Sequence, residues 1–201
     1  DEKADYNAAL QGFMAAEKSG WSDSACKQSA ERFDAVGREH GKLVEAFFMV
    51  GLSYQRCDML SDAEKAYRRA LGVKSDHPQS LSNLGTVYFR NGKIEDAKKY
   101  WKTALDASGK LSGAYVGTAT AELDELRKTA PGPAWTKLAE DISFNLSSAL
   151  AVDSSDVRTY TVFGLFYLEG SDKNKNRLDL AKLLLDEGEK RDAKFAPLKN
   201  A

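Results

Sequence analysis

The chain has 201 residues, with 30 acidic side chains, 29 lysines and arginines, and a formal net charge of −1. Because the basic residues are scattered among acidic ones, the composition argues against a nucleic-acid interface, which normally shows a clustered basic face. No apolar run approaches the ~20 residues that are needed to span a bilayer. No signal peptide is recognisable in the opening residues, DEKADYNAALQGF, where a processed or excised fragment would look the same.

In chain order, the apolar periodicity predicts an all-α protein of about ten helices. We expect these helices at residues 4–19, 22–39, 42–56, 61–74, 78–91, 95–108, 112–129, 134–152, 156–169 and 177–192. Local signals support some of these limits: Ser61 and Glu64 have the spacing of a capping box, Pro78 suits a first turn, and Gly92 follows a helix end. A break around TAPGPAW predicts either a long inter-helix loop or two lengthened helices.

The middle of the chain repeats with a period of 34 residues, which is typical of stacked helix pairs. Small residues recur with small ones, and aromatic residues recur with aromatic ones. The recurring pairs are Gly51 and Gly85, Tyr54 and Tyr88, Ala63 and Ala97, Tyr67 and Trp101, and Ala70 and Ala104. Gly164 continues the glycine position further along the chain. We expect Ala63, Ala97 and Ala181 to face these glycines, so that the two helices of each pair approach closely.

This pattern resembles the tetratricopeptide repeat (TPR) family. The matching positions of one repeat are Leu84, Gly85, Tyr88, Ala97, Trp101, Ala104 and Leu105. The resemblance implies a single TPR solenoid over residues 1–201, a right-handed superhelix of stacked antiparallel helix pairs. It divides the chain into clear repeats at 44–77 and 78–111, divergent repeats at 112–156 and 157–196, and a partial repeat at 1–43. Terminal repeats normally carry a polar cap, and because neither end shows one, both ends look cut from a longer array.

The sequence carries none of the usual catalytic motifs. It contains no HExxH, no glycine-rich phosphate loop and no GxSxG. The two histidines, His40 and His77, stand beside predicted turns, where we expect solvated side chains and not ligands or bases. The sequence therefore predicts a protein with no enzymatic activity, no cofactor and no metal.

Cys26 and Cys57 are the two cysteines of the chain. They lie about equally far from the predicted turn near Gly41, and residues equidistant from the turn of an antiparallel helix pair lie side by side. A disulfide is therefore compatible with the prediction, and it would place the protein in an oxidising compartment such as the periplasm or cell envelope. The alternative is two small buried hydrophobic residues that happen to be cysteines, and a cytoplasmic protein.

The family resemblance also implies a binding surface, because the first helices of successive TPR repeats line a concave groove. The matching positions are Phe48, Leu52, Gln55, Arg56, Ser82, Asn83, Thr86, Phe89, Arg90, Val116, Thr120, Leu123, Thr161, Leu165 and Leu168. Some family members hold a C-terminal carboxylate with a Lys/Asn/Arg constellation, and here only Asn83 matches it. The alternative for Phe48, Leu52 and Phe89 is packing against neighbouring helices without any ligand.

These observations favour a scaffold that binds a protein or peptide partner, with an apolar segment or amphipathic helix in the groove. The alternative is a regulatory or sensory module that is joined to an enzyme or membrane anchor outside this fragment. A small-molecule groove is a third option. Self-association through truncated ends is a further expectation, since exposed apolar repeat faces attract one another. No nucleic-acid partner and no direct membrane insertion is expected.

A second resemblance concerns the last part of the chain. The stretch TYTVFGLFYLEGSDKNKNRLDLAKLLLDEGEKRDAKFAPL resembles TPR proteins in the cell-envelope machinery of deltaproteobacteria, including gliding-motility complexes. This resemblance implies a role in organising a multi-protein envelope assembly. It agrees with the exported location that a disulfide would require.

Overall fold

The computed structural model of the chain describes residues 1–41, 43–169 and 176–191. Ten α-helices lie in these ranges, and no strand occurs within them. The helices are α1 Glu2–Ser19, α2 Asp23–Glu39, α3 Val44–Arg56, α4 Leu60–Val73, α5 Pro78–Arg90, α6 Ile94–Ala107, α7 Ser112–Lys128, α8 Pro133–Val152, α9 Val157–Glu169 and α10 Asn176–Arg191. The all-α prediction is confirmed, and every helix begins and ends within two residues of its predicted range.

The helices form two compact units, residues 1–109 and residues 110–201. The first unit contains α1 to α6, and a core cluster among α1 to α4 is built from Ala9, Phe13, Ala30, Phe33, Val36, Ala46, Met49, Val50 and Ala66. The second unit contains α7 to α10 around a core of Val116, Ala119, Leu123, Leu126, Ile142, Leu146, Ala149, Val162, Phe163 and Phe166. The limits of the partial and divergent repeats stay predictions.

Two of the three predicted boundary signals are confirmed. Pro78 is the first residue of α5, and Gly92, with φ of 75°, follows the end of that helix at Arg90. The capping box at Ser61 and Glu64 is wrong, because α4 begins at Leu60 and no described side chain caps its first turn. One extra residue of helix places Ser61 inside the first turn, where its hydroxyl is not in the N-cap position.

The break at TAPGPAW separates two lengthened helices and is not a long loop. Helix α7 ends at Lys128 and α8 begins at Pro133, so the connection is short. The two helices have 17 and 20 residues, whereas α5 and α6 have 13 and 14. Proline at the first helical position lacks only an amide hydrogen that would have no helical partner there, so α8 starts at Pro133 without cost.

The repeated glycines accommodate aromatic rings of the second helix. A Cβ built on Gly85 would lie 2.6 Å from Cδ1 and Nε1 of Trp101, and a Cβ on Gly51 would lie 2.5 Å from Cε1 of Tyr67. The nearest atoms are therefore those of the aromatic rings, and the predicted facing of Ala97 and Ala63, both fully buried, stays a prediction. Only a residue without a side chain leaves room for a ring at this crossing.

The glycine at position 164 follows a different pattern. A Cβ on Gly164 would lie 2.5 Å from Cδ2 of Leu185 and 3.4 Å from the backbone oxygen of Ala181. The predicted partner Ala181 is therefore present, but only through its backbone, and a leucine takes the place of the aromatic ring.

Helices α2 and α3 form an antiparallel pair with a disulfide and a hydrogen bond across it. Cys26 and Cys57 form a disulfide with a Cα–Cα distance of 6.3 Å, a normal separation for such a bond. The hydroxyls of Ser29 and Ser53 are hydrogen-bonded at 2.8 Å, and Ser53 also donates to the backbone oxygen of Met49. As predicted, Cys26 and Cys57, which are about equally far from the turn near Gly41, lie side by side.

None of the helices in the described ranges combines the length and the hydropathy that crossing a bilayer demands.

Candidate functional site

Helices α3 and α5, the first helices of two successive pairs, lie side by side in the first unit. Six side chains at the predicted groove positions of these helices are partly exposed. We name this set the α3–α5 surface; it consists of Phe48, Leu52, Gln55, Asn83, Thr86 and Phe89. Whether these residues bind a partner stays a prediction.

The hydroxyl of Tyr67 connects two amides of the α3–α5 surface. It donates to Oε1 of Gln55 at 2.6 Å and accepts from Nδ2 of Asn83 at 3.1 Å. Tyr67 is fully buried, and burial raises the pKa of its hydroxyl above the usual value, so that the group remains a neutral donor. The link fixes both amide side chains and leaves each with a further hydrogen-bonding group for a ligand.

The apolar side chains of the α3–α5 surface pack against side chains beneath them. The ring of Phe48 lies 5.9 Å from the ring of Tyr67 and 5.6 Å from that of His77. Leu52 packs against the core cluster of the first unit, and the ring of Phe89 lies 5.6 Å from that of Trp101. The sequence left open whether Phe48, Leu52 and Phe89 pack against neighbouring helices or face a groove. All three pack against other side chains and also remain partly exposed.

Ser82 does not belong to the exposed surface. Its side chain is 5% exposed, and its backbone oxygen accepts hydrogen bonds from Nε1 of Trp101 at 3.1 Å and from the hydroxyl of Thr86 at 3.3 Å. Ser82 was predicted as a groove residue, but the structure places it in the layer beneath Thr86.

The two predicted groove arginines have acidic partners within the first unit. Nε of Arg56 donates to Glu17 at 2.6 Å, and Arg90 forms an ion pair with Asp58. Both arginines are about two-fifths exposed. They lie at the carboxyl ends of α3 and α5, where a cation interacts favourably with the helix dipole.

The second unit contains an equivalent pair of first helices, α7 and α9. Val116 and Leu123 were predicted as groove residues, but their side chains are 5% and 2% exposed and belong to the core. The remaining predicted positions are partly exposed, and we name them the α7–α9 surface: Thr120, Thr161, Leu165 and Leu168. Val116 lies 34 residues after Ser82, which is equally buried, so these two equivalent positions agree. Leu123 differs from its equivalent, Phe89, in being buried.

The threonines of these surfaces are bonded to their own helices. Thr120 donates to the backbone oxygen of Val116 at 2.7 Å, and Thr161 donates to that of Val157 at 3.2 Å. Each hydroxyl oxygen keeps its acceptor capacity. A partner would therefore meet methyl groups and hydrogen-bond acceptors at these positions.

His77 is buried, in contrast to the solvated side chain that we expected. It is the N-cap of α5, 7% exposed, and its Nδ1 accepts from the backbone amide of Ser80 at 3.3 Å. Burial holds the pKa of His77 below its usual value of 6.5. The charged neighbours that act on it are Glu45, Lys74 and Asp76. The proline at the next position was the sequence signal for this role, since a residue before a helix-starting proline is an N-cap.

We expect acidification to destabilise the first unit through His77. As the pH falls through 6.5, the unfolded chain takes up a proton at this position before the folded chain does, so the stability contribution present above that pH is lost. His77→Asn keeps an N-cap acceptor and removes the titration. Thermal unfolding followed over this pH range should show a smaller loss of stability in the variant, and equal pH profiles would contradict the assignment.

A family model described as tetratricopeptide repeat matches residues 44–77 and 78–110. The stacked helix pairs define the class of the protein, an α-helical repeat protein whose first helices lie side by side. Residues 44–77 and 78–110 are tetratricopeptide repeats, and the fold of the chain is similar to that of TPR proteins. Proteins of this family are generally non-catalytic interaction modules. No curated protein matches the chain significantly in sequence.

Several solved structures are similar to this chain in fold. Pseudomonas aeruginosa pilF is 12% identical, with a TM-score of 0.69 over 93% of this chain and 78% of that one. A thermophilic TPR protein of Thermus thermophilus is 13% identical, with a TM-score of 0.66 over 97% and 93% of the two chains. YrrB, described as a TPR protein with an unusual peptide-binding site, is 14% identical, with a TM-score of 0.56 over 97% and 88%. These similarities confirm the predicted TPR solenoid fold class.

Proposed function

We propose that this protein is a non-catalytic scaffold that binds an apolar peptide segment or an amphipathic helix on the α3–α5 surface. The observation that carries the proposal is the composition of this surface. Three partly exposed apolar side chains, Phe48, Leu52 and Phe89, stand beside two amides that Tyr67 holds in place. Affinity would come from the apolar side chains, and orientation from the amides.

The ion pairs at the edge of the α3–α5 surface favour an apolar partner over an acidic one. Arg56 and Arg90, the basic residues at the edge of the surface, are already paired with Glu17 and Asp58. An acidic ligand would have to compete with these carboxylates for the guanidinium groups. An apolar segment needs no such exchange, since it gains about 25 cal/mol for each Å² of apolar surface that it removes from water.

The α7–α9 surface is a second contact of the same type in this proposal. Leu165 and Leu168 supply apolar area, and Thr120 and Thr161 supply acceptor oxygens. A protein with two such surfaces can hold two segments of one partner, or segments of two partners, which is the property of a scaffold.

We further propose that the scaffold belongs to a bacterial envelope assembly. The disulfide between Cys26 and Cys57 supports this, because disulfides persist in oxidising compartments such as the periplasm. The resemblance of the last part of the chain to envelope TPR proteins agrees with it. The printed description of YrrB as having a peptide-binding site supports a peptide as the type of ligand.

Peptide selection from a random display library tests the proposal on the full chain. We expect the selected peptides to be apolar or amphipathic, and Leu52→Ser or Phe89→Ser to weaken their binding about tenfold, as measured by fluorescence anisotropy. Val73→Ser is the matched control, because Val73 is an exposed apolar residue at the end of α4 and lies off the α3–α5 surface.

Two results would contradict the proposal. One is a set of selected peptides whose binding Leu52→Ser and Phe89→Ser leave unchanged. The other is binding that Val73→Ser weakens as much as the surface variants do, which would indicate a general apolar attraction. Sedimentation of the free protein over a range of concentrations separates peptide binding from self-association.

A further inference from the structure

Three side chains with metal-binding atoms meet where the start of α1 lies beside the end of α2. Asp5 comes from α1, Glu39 is the last residue of α2, and His40 is its C-cap. One possible ligand atom from each residue lies within 4.8 Å of the others. Nε2 of His40 and Oδ2 of Asp5 are 2.9 Å apart, and the histidine side chain is only 16% exposed.

The distance between Nε2 of His40 and Oδ2 of Asp5 is close to that between two ligands of one coordinated ion. Zinc binds histidine nitrogen and carboxylate oxygen at about 2.0–2.2 Å, which places neighbouring ligand atoms of a tetrahedral site about 3.3 Å apart. The pair formed by His40 and Asp5 needs to open by only a few tenths of an ångström. Glu39 is exposed, so its side chain can rotate to bring an oxygen within range.

The end of α2 contributes a field that favours a cation at this place, whereas the start of α1 contributes a field of the opposite sign. The carboxyl end of α2 carries the negative end of the helix dipole, and His40 caps that end. Arg38, the nearest basic side chain on α2, is directed to Asp34, with 2.8 Å between Nε and the carboxylate oxygen. The amino group of Asp1 lies 3.4 Å from Asp5 and is a competing cation.

We propose that Asp5, Glu39 and His40 form a binding site for one Zn²⁺ or a similar divalent transition-metal ion, with water completing the coordination. One imidazole and two carboxylates are a donor set suited to zinc, whereas calcium and magnesium prefer oxygen ligands alone. This site replaces the solvated His40 and the absence of metal that the sequence led us to expect. It is independent of the proposed peptide binding.

The ion would link α1 to the end of α2. The other end of α2 is joined to α3 through the disulfide of Cys26. Helix α1 has no covalent link of this kind to α2. A bound ion would therefore stabilise α1 by an amount that rises with the logarithm of the metal concentration once that concentration exceeds the dissociation constant.

Calorimetric titration of the untagged full chain with zinc chloride tests the site. The amino terminus is acetylated, so that it neither competes for Asp5 nor acts as a ligand. We expect one Zn²⁺ per chain, and we expect Asp5→Asn, Glu39→Gln and His40→Gln each to weaken binding about tenfold or more. At a zinc concentration that saturates the unaltered chain but not the three site variants, hydrogen exchange in α1 should slow in the unaltered chain and in the control variant described below, but not in the site variants.

The matched control is Glu31→Gln, which removes another exposed carboxylate of α2. We expect it to bind zinc as the unaltered chain does, and circular dichroism checks that all variants are folded. The proposal is overturned if no saturable binding occurs, or if Asp5→Asn and His40→Gln bind zinc as tightly as the unaltered chain. Tighter binding of magnesium than of zinc would equally overturn it.

Discussion

Reduction of the Cys26–Cys57 disulfide is expected to lower the free energy of unfolding of the first unit by about 3–4 kcal/mol. The bond closes a sequence separation of 31 residues, and in the chain-entropy model its loss returns that much conformational freedom to the unfolded chain. Since Cys26 is fully buried between α2 and α3, those two helices should lose protection first.

The measurement compares oxidised and reduced forms of the unaltered chain, so that no side chain changes. Hydrogen exchange of amides in α2 and α3 reports the effect locally, and thermal unfolding reports it globally. A double replacement of Cys26 and Cys57 by alanine serves as a check and should behave as the reduced form does. Two titratable thiols in unreduced protein, or equal unfolding temperatures of the two forms, would show that the disulfide does not form or does not stabilise the fold.

Gly85→Leu is expected to destabilise the first unit by about 1–3 kcal/mol or more, because it forces atoms into a filled space. Even a Cβ at this position would lie 2.6 Å from two ring atoms of Trp101. The ring has little room to move, since it is 1% exposed and its Nε1 is bonded to the backbone of Ser82. Gly85→Ala should destabilise in the same direction by a smaller amount.

Gly72→Ala is the control for this prediction. Gly72 lies in α4, and a Cβ there would meet nothing within 4 Å. Alanine is a better helix former than glycine by roughly 1 kcal/mol, so this variant should be unchanged or slightly more stable. Opposite signs for Gly85→Ala and Gly72→Ala in thermal unfolding would support the ring contact, and equal stabilisation of both would refute it.

The helices were predictable because each has an apolar stripe of helical period that the repeats reinforce. The aromatic contacts of Gly51 and Gly85 were not predicted, although the signal was present: Tyr67 and Trp101 recur at the same 34-residue period as the two glycines. The prediction paired each glycine with a small residue of the second helix, but a flat aromatic ring also fits against a glycine. The contact depends on side-chain direction, which the spacing alone does not determine.

The exposure of the predicted groove positions was predicted correctly only in part, and partner binding at them stays a prediction. Six of the positions on α3 and α5 proved partly exposed, whereas Val116 and Leu123 on the longer α7 belong to the core. Ser82 and Val116 are equivalent positions 34 residues apart and both are buried, so a match to a groove position of the family does not by itself establish that the side chain is exposed. The cluster of Asp5, Glu39 and His40 left no local sequence signal, since its members come together only when α1 and α2 pack.

The glycine–aromatic contact also has an evolutionary consequence. Gly51 faces Tyr67 and Gly85 faces Trp101, so the same position tolerates rings of different size. A larger or smaller ring would alter the separation of the two helices while every exposed residue stayed the same. Descendants of this protein could therefore acquire new partner preferences through substitutions at positions 67 and 101, which no comparison of surface residues alone would reveal.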